Sequence, residues 1–501
     1  MNTIYSQSLL KDAEKFFEGN TLPTMFARVL KAQPDKVCLF DTERAFTYRD
    51  VERMSNQIAS AITRIGITPG AFMAVMSGRS LETLIAILGI WKAGCAYVFL
   101  DREYPEARNL DCMKECGARL IMTAEFIRDA IRGLPEEDIE DRSTPKGIAV
   151  VVYTSGTTHH PKGVLLTHEN ILASASNFRV LGITSEDVYG SFANLMFVAS
   201  VYDLAVSMVV GCPLTLIPKD IRKNIHALAD FYKEQKITVT FLPPHMAVKY
   251  EAIDADSPLR LLICGSEPAR NLSKRSYRIA HVYASSEACA VISCYFIEDR
   301  KVSYPIGQIM PDLKAYIVNA DGTLVSGDAA GELWISGPQV SIGYLLEPEA
   351  DSLHYGVNPF SMEEKYTRVY KTGDLVSRDP DGNLIFHGRM DGMVKVRGFR
   401  IELSAVENCM LQFPEVSEAH CVVYKDAGGE DILFGYFTGL KQIDHGSLRT
   451  FMGMSLPYYM IPTGLIQLPD FARNRNGKVD RHQFIAPPEI NDHKLLAKIY
   501  Y

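Results

Sequence analysis

The stretch Gly147-Ile148-Ala149-Val150-Val151-Val152-Tyr153 runs without a break into Thr154-Ser155-Gly156-Thr157-Thr158-His159-His160-Pro161-Lys162-Gly163. Its first half is a β-branched apolar run of strand length. Its second half is a loop of hydroxyls and glycines ending in a lysine. Small residues let backbone N–H groups approach anionic oxygens, hydroxyls add donors, and Lys162 adds charge. A strand that launches such a loop suits a polyphosphate cradle on an α/β sheet. It is not a GxxxxGK[ST] loop, because Lys162 stands between Pro161 and Gly163. Taken alone, the loop leaves a plain polar surface turn open and names no reaction.

Working outward, helix and strand signals alternate. Leu22 to Lys31 and Asp50 to Ile65 carry apolar residues at helical spacing, while Ala71 to Met76 and Ala96 to Leu100 read as buried strands. Helical spacing between Ser80 and Trp91 completes a strand–helix–strand unit, which implies a crossover onto a parallel sheet. Ala118 to Met122 repeats the strand signal. From 305 to 390 short strands (Lys314 to Val318, Gly331 to Ile335, Leu384 to Phe386) alternate with Asp-Gly turns at 321–322 and 381–382, the pattern of a β-rich subdomain. The fold class expected is α/β: stacked α/β sheets plus this β-rich part in one large domain, then a small α+β domain.

The whole chain has 501 residues, 52 Lys+Arg against 60 Asp+Glu, and a formal net charge of −8. That balance argues against a general nucleic-acid or anionic-membrane binder, because neutralising phosphates needs a basic surface. A charged fraction of 22% with 47% hydrophobic residues is globular rather than disordered. Ten cysteines are scattered, several inside apolar runs, and only Cys112 and Cys116 lie close together. Without a second pair at zinc-like spacing they read as reduced, buried thiols. The N-terminus lacks a signal-peptide core. The longest apolar run, Leu84 to Trp91, is far below the roughly 20 residues of a membrane span. A soluble, cytoplasmic protein is expected.

Further motifs accompany the loop in order. They are Phe46-Thr47-Tyr48-Arg49-Asp50, Trp91-Lys92-Ala93-Gly94-Cys95-Ala96-Tyr97 through Asp101, and Tyr283-Ala284-Ser285-Ser286-Glu287. Gly331-Glu332-Leu333, Gly343-Tyr344-Leu345, Tyr370-Lys371-Thr372-Gly373-Asp374-Leu375 and Gly388-Arg389-Met390-Asp391 follow. Val394 to Leu403 and Asn476-Gly477-Lys478-Val479-Asp480-Arg481 complete the series. This series, from about residue 20 to the end, resembles the adenylate-forming superfamily of acyl-CoA synthetases, luciferases and nonribosomal-peptide-synthetase adenylation domains. It is most similar to free-standing adenylation domains and D-alanine–carrier-protein ligases.

The resemblance implies attack of a substrate carboxylate on the α-phosphate of MgATP, release of pyrophosphate, and capture of the acyl group by a thiol. The barrier is largely repulsion between anions, so positioning and charge neutralisation should dominate. It implies Lys478 as the main catalytic cation, bridging carboxylate and α-phosphate. Thr154, Ser155, Gly156, Thr157, Thr158 and Lys162 would hold ATP phosphates, with Ser286 beside the α-phosphate. Tyr283 would stack on adenine, Asp374 would take the ribose hydroxyls, and Arg389 would reach ribose or phosphate. Glu287 would be the Mg2+ ligand. A large domain over residues 1–390 would join a small mobile lid over 391–501 at a hinge, Asp391.

Two departures stand out. His159 occupies a position where the family has Gly, which enters positive φ freely whereas His does so at a cost. Amino-acid-activating members carry Phe-Asp for the substrate ammonium, whereas this chain has Phe197-Val198. Burying an ammonium against valine would cost several kcal/mol. The other carried-over specificity positions are Ala199, Tyr202, Phe241, Leu262, Cys264, Val282, Ala290 and Val291, and none is charged. The expected substrate is therefore an apolar carboxylic acid without an α-amine: an acyl chain, an α-keto or α-hydroxy acid, or an aryl acid. Asp203 could rescue an amine, but it lies about 100° round a helix from Tyr202.

The chain ends twenty residues after Arg481 without a phosphopantetheine-serine motif. Arg400-Ile401-Glu402-Leu403 resembles peptide-synthetase domains more than acyl-CoA synthetases. A separate acyl or peptidyl carrier protein is the expected acceptor, with coenzyme A as the alternative. Amino acid adenylation and a non-catalytic nucleotide-binding homologue remain the other readings.

Overall fold

The computed structural model describes residues 18–134, 139–154, 161–254, 256–301, 303–390, 394–426, 430–439, 441–472, 479 and 484. Helix α1 (Leu22–Ala32) starts at a Thr21 cap. Strands β1 (Val37–Phe40) and β2 (Ala45–Thr47) then lead into α2 (Tyr48–Arg64). Thr47 and Asp50 close a reciprocal capping box at 3.1 and 2.9 Å, satisfying donors that the first turn leaves open. Val51, Met54, Ile58 and Ile62 of α2 are buried, as its spacing predicts, and so are the polar Ser55, Asn56 and Gln57.

After β3 (Phe72–Val75) comes α3 (Leu81–Lys92), apolar nearly all round and buried along its length. A Cβ on Gly89 would stand 2.8 Å from Ile58 and from the Ser55 carbonyl, so only glycine lets α2 and α3 pack this closely. Lys92 at the end of α3 is buried, and Glu52 at 2.6 Å, Asn56 at 2.7 Å and Ser55 at 2.9 Å satisfy its ammonium.

The chain continues through β4 (Ala96–Phe99), β5 (Leu120–Met122), β6 (Ile148–Thr154), β7 (Lys162–Thr167), β8 (Tyr189–Ser191) and α4 (Val198–Val210). Next are β9 (Leu214–Leu216), α5 (Ile225–Glu234), β10 (Val239–Leu242), α6 (Pro244–Ile253), β11 (Leu261–Gly265), β12 (Arg278–Ser285), β13 (Ala290–Ile297) and β14 (Gln308–Ile309). The β-rich part comprises β15 (Lys314–Val318), β16 (Gly331–Ser336), β17 (Gly343–Tyr344), β18 (Tyr355–Val357), β19 (Arg368–Arg378) and β20 (Leu384–Arg389).

A nine-stranded sheet runs β14-β13-β12-β11-β10-β8-β9-β1-β2, and a six-stranded sheet runs β17-β7-β6-β4-β3-β5. Their central pairings are parallel, as the crossovers require. The third sheet, β15-β16-β19-β18 with β20 on β19, matches the β-rich stretch. Both Asp-Gly turns form, with Gly322 and Gly382 at positive φ. All ten cysteines are free and buried. No helix among the described residues is long and apolar enough to cross a membrane.

The contacts divide the chain into two compact units. The first holds most of the chain to Gly388; the second holds the chain from Arg389, with Arg102–Cys112 and the loop ends Thr154 and Lys162. The second unit contains the hairpin β21 (Val394–Val396) and β22 (Phe399–Ile401), α7 (Leu403–Leu411), the sheet β23 (Glu418–Lys425), β24 (Asp431–Thr438) and β25 (Gly464–Gln467), and α8 (His445–Gly453). Its own core includes Ile401, Val406, Met410, Phe437, Leu448 and Met452.

Candidate active site

Tyr283 sits near the end of β12, where the strand turns into β13 through Ser286-Glu287-Ala288-Cys289. Cys289 and Ala290 take φ of 49° and 75° in this return, a region that side chains other than glycine enter at a cost and that concentrates at functional sites. The Tyr283 hydroxyl donates to Asp374 Oδ2. Asp374 gets there by a bulge: Glu332 pairs with Leu375 and Trp334 with Lys371, so β19 carries extra residues opposite β16. Gly373 at φ 70° makes the kink. Glu332 Oε1 accepts the Gly373 N–H at 3.0 Å, while Thr372 Oγ1 accepts the Asp374 N–H at 3.0 Å. The Thr-Gly-Asp sequence thus builds a kink that carries the carboxylate to the tyrosine.

Glu287 is buried. Its Oε1 accepts from the Tyr344 hydroxyl at 3.0 Å, and its carbonyl accepts the Ser341 N–H at 2.8 Å. Tyr344 lies on β17, which pairs with Val164 and Leu165 of β7, the strand leaving the phosphate loop. Tyr344 was legible only as part of a motif; the structure makes it the support of the carboxylate. A buried carboxylate suits Mg2+, which keeps waters and takes one or two protein carboxylates together with substrate phosphates. Among the described residues no cluster of three or more ligating side chains competes with this arrangement.

The strand signal ending at Tyr153 is matched by β6, which Thr154 ends; Lys162, read as a loop residue, opens β7. Ser155, Gly156, Thr157, Thr158, His159, Asp391 and Lys478 lie outside the described residues. Ser286 follows Ser285 in the β12–β13 turn, and Arg389 is the last residue of β20.

Phe197 precedes α4, and Val198, Ala199 and Tyr202 lie on its first turns. Register defines the sheet face that α4 meets. Tyr189 pairs with Val239, Phe241 with Ile263, and Gly265 with Val282, which pairs with Cys294. Alternation along each strand puts all of these on one face. Asp203 of α4 bonds two groups on that face. Ala290 and Val291 lie at the start of β13.

Leu262 and Cys264 of the expected set sit at the alternate positions of β11. They pair with Thr240 and Leu242, on the opposite face, and lie fully buried with Tyr232, Ala247 and Tyr250 under α5 and α6. A strand has period two, so a one-residue change of position moves a side chain to the other face. Ile263 faces α4 in their place.

Asp203 is also clarified. Its carboxylate oxygens accept from the Tyr189 hydroxyl and the Ser191 hydroxyl, each at 2.8 Å. Burial pushes its pKa up to about 6, against the lowering effect of these bonds and of Arg79. Arg79 itself donates to the carbonyls of Ser191, Ala193 and Ile217, and its burial lowers its pKa to about 9. This network was not anticipated; its one trace in the sequence is a lone carboxylate in the apolar run of α4.

A family model described as AMP-binding enzyme matches residues 26–345. The chain belongs to the AMP-binding enzyme family. It is an adenylate-forming ligase by family, as the ordered motifs imply, and enzymes of this family use ATP and Mg2+. Bacitracin synthase 1 of Bacillus licheniformis is 31% identical over 486 residues, which cover 94% of this chain and 9% of that protein. The chain therefore spans a small part of that relative's length. The solved structure of NpsA-ThdA, an artificially fused adenylation-PCP di-domain from Klebsiella oxytoca, superposes with a TM-score of 0.80 at 22% identity, over 90% of this chain and 94% of that one. A double mutant of o-succinylbenzoate CoA synthetase from Bacillus subtilis gives 0.80 at 20% identity, over 93% and 98%. Both show the shared fold of this AMP-binding enzyme.

Proposed function

We propose that this AMP-binding enzyme activates an uncharged carboxylic acid lacking an α-amine, and passes the acyl group to the phosphopantetheine thiol of a carrier protein. In the first step a carboxylate oxygen attacks the α-phosphorus of ATP and the bond to pyrophosphate breaks, leaving acyl-adenylate. In the second, the carrier thiol loses its proton, its sulfur attacks the acyl carbon, and AMP departs.

Tyr283 offers a ring to adenine and holds Asp374, whose carboxylate can accept from both ribose hydroxyls. Glu287 would hold Mg2+, which supplies charge neutralisation on the phosphates when bound. Thr154, Lys162 and the loop between them would cradle the phosphates, with Ser286, Arg389 and Lys478 as the remaining nucleotide contacts and Asp391 as the hinge. The acid would lie against Phe197, Val198, Ala199, Tyr202, Phe241, Val282, Ala290 and Val291.

One observation carries the substrate reading. Val198 stands where an ammonium partner would be needed, and both oxygens of the nearest alternative, Asp203, are engaged by Tyr189 and Ser191. The similarity to peptide-synthetase regions supports a carrier as acceptor. The test is pyrophosphate release with MgATP across α-amino acids and their keto, hydroxy and deamino counterparts, with Lys478→Ala as the blank. Activity confined to amine-free acids supports the reading, and preference for the amines sinks it. Transfer to a phosphopantetheinylated carrier against transfer to coenzyme A, measured with the best acid, decides the acceptor.

A further inference from the structure

Tyr202 is 5% exposed, and its hydroxyl has no hydrogen-bond partner among the described residues. A hydroxyl taken from water and left unpaired destabilises the free protein, whereas phenylalanine would fill the same space without that cost. Val198 lies four residues before it on the same face of α4. The facing strand residues Phe241, Ile263 and Val282 are apolar. Burial, and after it the neighbouring Asp203 carboxylate, disfavours a negative charge here and keeps the phenol in its protonated, donating form. A ligand able to complete this site has an apolar body and one neutral oxygen.

We propose that the Tyr202 hydroxyl is a specificity-determining group that hydrogen-bonds one uncharged keto or hydroxyl oxygen on an otherwise apolar acid substrate. This rests on the reading of the α4 face as the acid site. It narrows the substrate class, since plain acyl chains leave the phenol unpaired. A site built to bond an oxygen discriminates strongly against the analogue that lacks it.

The experiment compares wild type with Tyr202→Phe on acid pairs differing by one oxygen: 4-methyl-2-oxopentanoate and 2-hydroxy-4-methylpentanoate against 4-methylpentanoate, phenylpyruvate against 3-phenylpropanoate, and salicylate against benzoate. For at least one pair, wild type should favour the oxygenated acid by about tenfold or more in kcat/KM. In Tyr202→Phe that ratio should fall toward one. The pairs distinguish an α-keto or α-hydroxy oxygen from an aryl one.

Melting temperature supplies a readout without turnover. Tyr202→Phe should melt at the wild-type temperature or slightly above it. A drop of several degrees would mean the hydroxyl has a partner in the free protein, which overturns the proposal. An unchanged preference ratio in the variant also overturns it and leaves the amine-free reading standing. Should amino acids prove the better substrates, that reading fails while tyrosine against phenylalanine and threonine against 2-aminobutanoate still read the hydroxyl. Silence with every acid overturns both.

Discussion

Replacing Asp203 with asparagine should change the way stability depends on pH. The Asp203 carboxyl is buried, and its pKa stands at about 6 in the folded chain against 3.8 as the ordinary value, burial being the larger cause. The folded pKa is raised, so the native state holds the proton more tightly than the unfolded state. The resulting stabilisation is complete below about pH 3.8 and is lost as pH rises through about 6. The displacement corresponds to about 3 kcal/mol in total, at about 1.4 kcal/mol per tenfold change in affinity. About 2 kcal/mol of that falls between pH 4.5 and 7.5. The substituted amide cannot ionise, so Asp203→Asn should gain about 2 kcal/mol on wild type across this range. The assay is urea unfolding of both proteins at matched pH values, where all other carboxylates cancel in the difference. Parallel stability-against-pH curves would refute the argument. So would an Asp203→Asn enzyme of unchanged pH behaviour that had lost activity only toward amine-bearing acids, because Asp203 would then face the substrate.

Other measurements follow from the same structure. Asp374→Asn should raise the Kd for ATP about 10- to 100-fold and Tyr283→Phe about 3- to 10-fold; titration calorimetry reads both, and equal small effects would mean the pair does not meet the nucleotide. Lys478→Ala should reduce pyrophosphate release about 100-fold or more at unchanged melting temperature, and near-wild-type turnover would remove Lys478 from the chemistry. All ten thiols are buried, and burial pushes Cys95 and Cys409 up to about 11 and Cys212 to about 12. A chromogenic disulfide reagent at pH 7.5 should therefore titrate essentially no thiol in the native protein and ten in denaturant. A fast-reacting native cysteine would contradict this packing.

The elements nearest the site were readable because local rules suffice for them. Helix α3 announces itself by its apolar run between a Ser80 cap and Lys92, and β6 by its β-branched residues before a loop no strand can continue. The Thr372-Gly373-Asp374 kink is largely local, since glycine supplies the positive φ and the threonine hydroxyl accepts the Asp374 N–H. Glu287 could be named from its motif, but its support by Tyr344 joins residues 57 apart in the chain. Leu262 and Cys264 show the limit of carrying positions along a strand: the residue types suit a pocket, and only pairing with Thr240 and Leu242 reveals which way they face.

By itself the sequence determined the family and the α/β order of elements, because an ordered series of short motifs and the two hydrophobic periods survive without knowledge of distant contacts. It also determined that valine, not a carboxylate, follows Phe197. The tertiary structure alone decided that Asp203 belongs to Tyr189 and Ser191, that Ile263 rather than Cys264 faces α4, and that the Tyr202 hydroxyl is left without a partner among the described residues. Each of these depends on strand register and on how a helix is rotated against a sheet. Those quantities are set by packing between segments far apart in the chain, and no local pattern encodes them.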